Sequence, residues 1–264
     1  MSAQIQPQQP VLLREDRDGI ATLTMNRPQQ MNLLTDEMLT ALQRSFDEIG
    51  KDREIRVVIL AAAGKGFCAG HDLKELRELR EQPKIAELFA QCSAMMMSIQ
   101  GLPQPVIAKV QGAAAAAGAQ LVAQCDLAVA SAAAKFVTSG VTWGFFCSTP
   151  GVAIGRNLKR KHAMEMLLTG EPITAQRALE WGLVNRVVAA DALDGETLAL
   201  ARTIASKPPA TTAAGKRAFY LQMDMDLTRA YALAGEVIAS SFAHGEGKQG
   251  MAAFIEKRPP PGKK

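Results

Sequence analysis

The sequence predicts an α/β fold with crossover connections, on three observations. Short runs rich in β-branched residues alternate with stretches of helical period. Two of those runs end in small-residue loops that lead into helical patterns, Phe67-Cys-Ala-Gly-His-Asp-Leu73 and Gly112-Ala-Ala-Ala-Ala-Ala-Gly118-Ala-Gln120. Beyond Val188 the pattern is helical to the end.

In chain order, the expected strands are Val11–Arg14, Ile20–Met25, Val57–Ala62, Val106–Val110, Leu127–Ala130 and Leu183–Val188, each bounded by Gly, Pro, Asp or Asn. A helix is expected over Asp36–Asp52, where Met38, Leu39, Leu42, Phe46 and Ile49 share a face and Thr35 is placed to cap. A second runs over Lys84–Gln100, with Leu88, Phe89, Cys92, Met95, Met96 and Ile99 at similar spacing. Lys159-Arg160-Lys161 falls on a further helix, as a solvated face. Strands alternating with helices need crossovers and a parallel sheet. Helices over Asp191–Ser206, Pro209–Leu221, Leu227–Phe242 and Lys248–Glu256 complete the chain. The break near Ser206-Lys-Pro-Pro209 divides a core, residues 11–206, from a helical region, residues 207–264, and residues 1–10 read as a polar, Gln-rich flexible tail.

Composition narrows the function classes. The 264 residues suffice for one large core, and 48% hydrophobic against 21% charged residues excludes a disordered chain. A net charge of +4 suits an anionic small molecule and is too small to argue for nucleic acid. No apolar run is long enough to span a bilayer. Cys68, Cys92, Cys125 and Cys147 show no metal-ligand spacing and sit in apolar surroundings, so they read as reduced core residues in a cytoplasmic protein.

Two small-residue loops can aim two backbone N–H groups at one point, which stabilises an oxyanion without a metal. Carboxylates are scarce there: from Leu88 to Met164 the only acidic side chain is Asp126.

In order and spacing, nearly the whole chain resembles the crotonase, or enoyl-CoA hydratase/isomerase, superfamily. The resemblance rests on Asn26-Arg-Pro28 with Met31-Asn32, on the two loops, on Cys125-Asp126 and on Thr149-Pro-Gly151. It continues through Met166-Leu-Leu-Thr-Gly-Glu171, Gly182-Leu-Val184 and Gly250…Ala253-Phe-Ile-Glu-Lys-Arg258. It implies a crotonase-like spiral of ββα units whose C-terminal helical region assembles trimers or hexamers. It also implies a coenzyme A thioester as substrate, with no permanently bound cofactor, no metal, and a place in fatty-acid metabolism. The thioester oxygen would lie between the backbone N–H groups of His71 and Ala117. Phe67, Ala69, Asp72 and Leu73 would line the adenine and pantetheine groove, with Arg27, Trp143 and Lys257 as further contacts.

Several departures matter. Alanines stand where hydratases have glycines, so a positive φ near Ala115–Ala117 would be strained. His71 either meets a phosphate or covers the loop, the second being expected. The two hydratase glutamates match Gln120 and Gly140. An amide cannot exchange protons at neutral pH, and Thr138–Gly144 contain no acid at any register. Hydration should therefore be weak or absent. Gln120, Thr138, Ser139, Thr142, Cys147 and Ser148 are left as an uncharged polar rim. A true hydratase with atypical residues, or a non-catalytic acyl-CoA binder, are the alternatives.

Overall fold

The computed structural model describes residues 9–259, so the expected tail up to Gln8 and the terminal Lys263 and Lys264 lie outside the described residues. The strands are β1 Leu12–Arg17, β2 Ile20–Met25, β3 Val57–Ala62, β4 Val106–Val110, β5 Ala114–Ala115, β6 Leu127–Ser131, β7 Lys135–Val137, β8 Ile173–Thr174 and β9 Arg186–Val188. The helices are α1 Asp36–Ile49, α2 Leu73–Leu79, α3 Gln82–Gly101, α4 Ala117–Gln124, α5 Ser148–Asn157, α6 Arg160–Thr169, α7 Ala175–Trp181, α8 Leu193–Ala205, α9 Pro209–Gln222, α10 Leu227–Ala243 and α11 Gly245–Ile255.

Six strands form one sheet in the order β1-β2-β3-β4-β6-β9, and β5-β7-β8 form a second. In the large sheet only β1 and β2 are antiparallel; the remaining pairs are parallel. The β1–β2 hairpin turns at Asp18 and Gly19, with φ of 53° and 75°, the doubly left-handed turn that Asp-Gly favours. It carries β1 to Arg17, past the expected end at Arg14, because the charges of Glu15–Arg17 lie on an exposed edge strand. The central β3 and β4 are nearly all buried, as parallel strands covered on both faces must be.

One face of the sheet buries α1, α3 and α4 in the main core around Phe46, Phe67, Leu60 and Met95. On the other face, Leu193 and Ala201 of α8 pack against Ile20, Val57, Ile59, Ile107 and Val129. Helix α1 starts where Thr35 Oγ1 accepts from Met38 N–H at 3.2 Å, with the five expected apolar residues buried, and it stops at Ile49 rather than Asp52. Strand β9 begins at Arg186, not Leu183, because Leu183 and Val184 belong to the turn after α7 and bond back to Ala178. Lys159 precedes α6 rather than lying inside it.

Asp126 ties the C-terminal helices to this core. Its carboxylate accepts from Val106 N–H at 2.7 Å, Lys216 Nζ at 2.7 Å and Tyr220 Oη at 2.8 Å. Lys216 Nζ also donates to the carbonyls of Ile99 at 2.8 Å and Gln104 at 3.0 Å. Beyond α9 many large apolar side chains face outward: Leu227, Tyr231, Ile238 and Phe242 recur along one side of α10, and Phe254 stands exposed on α11. Among the described residues no helix is long and apolar enough to cross a membrane.

Candidate functional site at the meeting of two loops

The first loop leaves β3 and is held by two amide side chains, Asn32 buried and Gln111 half-buried. Asn32 Nδ2 donates to the carbonyls of Ala63 at 2.9 Å and Gly66 at 3.1 Å, while its Oδ1 accepts from Arg27 N–H at 2.9 Å. Gln111 Nε2 donates to the carbonyls of Ala62, Gly64 and Gly66, at 2.9–3.1 Å. This explains physically why Asn-Arg-Pro…Met-Asn accompanies the loop.

The second loop lies directly against the first. Phe67 N–H donates to Ala113 O at 2.9 Å, and Ala115 N–H to Cys68 O at 2.8 Å. At Gly118 a Cβ would drive into the Cys68 carbonyl, so only glycine permits this approach. At Gly70, where φ is +92°, a Cβ would lie 3.3 Å from the Ala117 nitrogen. The residue after Gly70 is His71, so the loops bring the backbone around both expected donors to one place. Among the described residues neither the His71 nor the Ala117 backbone N–H has an acceptor. Ala117 is also the first residue of α4, where N–H groups are free and the helix dipole favours negative charge.

Ala116, just before that helix, has φ 48° and ψ −116°. An alanine there costs on the order of 1–3 kcal/mol.

Gln120 lies one turn along α4 from Ala117. It is 5% exposed, and its Oε1 is buried with no hydrogen-bond partner. Gly140 is buried in the short 3₁₀ turn Ser139–Trp143. A Cβ on it would lie 2.6 Å from Phe145 O and 2.8 Å from Cys147 Sγ, so the space an acidic side chain would use is filled. Thr138 Oγ1 already donates to Met166 O at 2.8 Å, whereas Trp143 stands 73% exposed. Burial pushes the Cys147 thiol above its ordinary pKa, opposed by the Gly140 backbone. His162 is stacked on Trp181 with ring centroids 4.6 Å apart, and His244 Nδ1 sits 3.3 Å from Ser240 O. No base therefore attends Cys147 or Ser148 from these two imidazoles, and Asp126 is fully engaged as described above.

The other expected contacts take varied places. The Phe67 ring is wholly buried in the core, which leaves only its main chain for a ligand. Ala69 N–H is used by Met31 O at 3.0 Å. Asp72 Oδ1 accepts from Lys74 N–H at 2.8 Å and caps α2, while Leu73 is exposed beside it. The Arg27 guanidinium donates to the carbonyls of Gln9 at 2.9 Å, Pro10 at 3.2 Å and Asn26 at 2.9 Å. Lys257 is exposed past the end of α11. The His71 ring packs edge-on against Phe89 at 5.0 Å, under cover, and neither ring nitrogen makes a hydrogen bond. Burial lowers its pKa from 6.5, with the Leu34 backbone opposing. Sequence reasoning missed Lys216 and Tyr220, which read as ordinary residues of a surface helix, whereas the strain expected over Ala115–Ala117 falls on Ala116.

Comparison with known proteins shows relatives that match nearly the whole chain. The family model described as enoyl-CoA hydratase/isomerase matches residues 15–264. The human protein named enoyl-CoA hydratase domain-containing protein 3, mitochondrial, is 46% identical over 92% of this chain and 80% of its own length. A crystal structure of that human protein superposes with a TM-score of 0.92 at 44% identity, covering 96% of this chain and 99% of that one. A crystal structure of an enoyl-CoA hydratase from Mycobacterium smegmatis is 50% identical, with a TM-score of 0.94 over 96% of this chain and 99% of that one. The expected cytoplasmic setting is corrected by these comparisons, because the mouse, human and frog relatives are mitochondrial by name. Four buried free thiols report only that the core is inert and reduced, and carry no compartment label.

Proposed function

We propose, since this chain belongs to the enoyl-CoA hydratase/isomerase family, that it binds an acyl-CoA thioester and stabilises negative charge on the thioester oxygen. The backbone N–H groups of His71 and Ala117 would be the donors. The observation that carries this reading is the close approach of Gly70 to the Ala117 nitrogen, with both amides lacking an acceptor among the described residues. Two preorganised backbone donors in a buried setting favour an enolate or tetrahedral oxyanion over the neutral carbonyl.

The same site is poor in proton-transfer groups. Gln120 and the filled space at Gly140 stand where hydration would call for carboxylates. General acid–base assistance is worth about 10²–10⁴-fold per group, so hydration of a conjugated thioester is expected to be slow or undetectable. Enolate chemistry in which the substrate supplies its own base, or thioester hydrolysis, asks less of the protein. The outward apolar faces of α10 and α11 support self-association, as a trimer or a pair of trimers.

The test is incubation with crotonyl-CoA and a series of saturated acyl-CoAs, with products read by mass spectrometry. Unchanged crotonyl-CoA, with binding measured separately, is the expected result. Rapid gain of water would overturn the role given to Gln120. Binding across the series without any turnover of any thioester would favour a non-catalytic acyl-CoA carrier, which the uncharged site also supports.

A further inference from the structure

We infer that the loop from Thr138 to Cys147 is an apolar wall for the acyl group, and that it selects thioesters whose acyl chain is large, uncharged and aryl-bearing; this rests on the acyl-CoA reading above. The loop begins beside a donor. Strand β7 runs parallel to β5 with Val137 opposite Ala115, and Ala116 N–H donates to Val137 O at 2.8 Å. Thr138 therefore enters the loop next to the residue that precedes the Ala117 amide. Both ends are pinned: Thr138 is buried with its hydroxyl on Met166 O, and Cys147 is buried where its carbonyl accepts from Gly151 N–H at 2.9 Å. Between them Phe145 N–H donates to Gly140 O at 3.1 Å and Gly144 N–H to Val141 O at 3.3 Å, with φ of 87° at Gly144.

The backbone of the loop closes on itself, but its rings stay out of the core. Trp143, Phe145 and Phe146 are 73%, 48% and 45% exposed, in a chain with only nine Phe and two Trp. A side chain on Gly140 would begin 2.9 Å from Phe145 Cδ2, so a ring edge fills the place of an acid. From Phe136 to Gly155 the sequence has no Asp, Glu, Lys, Arg or His. Clustered apolar surface of this kind marks a place that something covers. The acyl chain is favoured over a second copy of the protein, because the loop starts beside a donor, whereas the apolar faces of α10 and α11 lie on other elements. An aryl group gains from ring–ring contact beyond the area it buries. A carboxylate would lose hydration there with no cation to replace it.

The experiment measures, by calorimetry, the binding of butanoyl-CoA, phenylpropanoyl-CoA and glutaryl-CoA to the full chain and to its Trp143→Ala and Phe146→Ala variants. Phenylpropanoyl-CoA should bind the wild type about tenfold more tightly than butanoyl-CoA does. Glutaryl-CoA should bind no more tightly than butanoyl-CoA. Each variant, shown to be folded by circular dichroism, should cut the aryl preference about threefold or more. Equal affinities for the phenylpropanoyl and butanoyl thioesters would overturn the wall and leave the acyl-CoA reading standing. Preferred binding of glutaryl-CoA would do the same. An aryl preference unchanged in both variants would also overturn it, and a smaller assembly in sedimentation of those variants would then assign the rings to a contact with a second copy. Failure of all three thioesters to bind the wild type would overturn the acyl-CoA reading itself, and the wall with it.

Discussion

Replacing Asp126 by Asn should destabilise the protein more than any change made at its surface. The substitution keeps the shape, and an Asn oxygen can still accept from Val106 N–H. What it removes is the counter-charge for Lys216, whose side chain is only 7% exposed. The ammonium keeps only neutral acceptors, that same oxygen and the carbonyls of Ile99 and Gln104, and its pKa, already lowered by burial against the pull of Asp126, has lost its main support. Breaking a buried pair by neutralising one partner costs about 3–5 kcal/mol. Lys216→Met leaves Asp126 two donors, Val106 N–H and Tyr220 Oη, and should cost less. The double variant should cost less than the sum of the singles, since the unpaired cation is gone. Urea unfolding at fixed protomer concentration measures all three, with the slope of the transition checked for constancy. A loss below about 1 kcal/mol for Asp126→Asn, as for an exposed pair, would refute the reasoning.

Other outcomes follow from the same geometry. Gly140→Ala should cost about 1–3 kcal/mol, because its Cβ meets backbone and thiol rather than a flexible side-chain end; a neutral result in urea unfolding would contradict the filled space. Gln120→Glu should raise hydration of crotonyl-CoA measurably but leave it about 10²–10⁴-fold short of a two-carboxylate site, and full activity from this one change would show that no second acid is required. For His71, the folded pKa lies below 6.5, so the unfolded chain binds the extra proton first; its contribution to stability is present above pH 6.5 and lost as pH falls through the folded value. His71→Phe should flatten the fall in stability just below pH 6.5, and an unchanged slope would mean that the ring is not buried neutral.

The long elements were legible because period alone identifies them. The five apolar residues of α1 and the runs of β2, β3 and β4 repeat at spacings that only one kind of element can bury. The small β5-β7-β8 sheet was not legible, since strands of two or three residues carry no period. Helices α5 and α7 were missed for a similar reason, being ten and seven residues long with mixed faces, whereas α2 begins at Leu73, where the first loop was expected to lead into a helix. At the site, the loop motifs showed where two backbones would meet, since small residues are needed where backbones touch, and it was the family resemblance that singled out His71 and Ala117. The strain at Ala116 was expected only over a range, and its residue is set by a clamp from Val137 that lies far along the chain. Nor does sequence show that Phe145 and Cys147 fold back over Gly140, or that Lys216 reaches Asp126 across 90 residues.

The most direct measurement of the central claim compares, by calorimetry, a saturated acyl-CoA thioester with the thioether analogue in which a methylene replaces the carbonyl. The two ligands share every contact except those to the thioester oxygen. Two backbone hydrogen bonds, each worth about 0.5–1.5 kcal/mol, predict that the thioester binds about tenfold more tightly or better. Equal affinity would contradict the assignment of the His71 and Ala117 amides as an oxyanion hole.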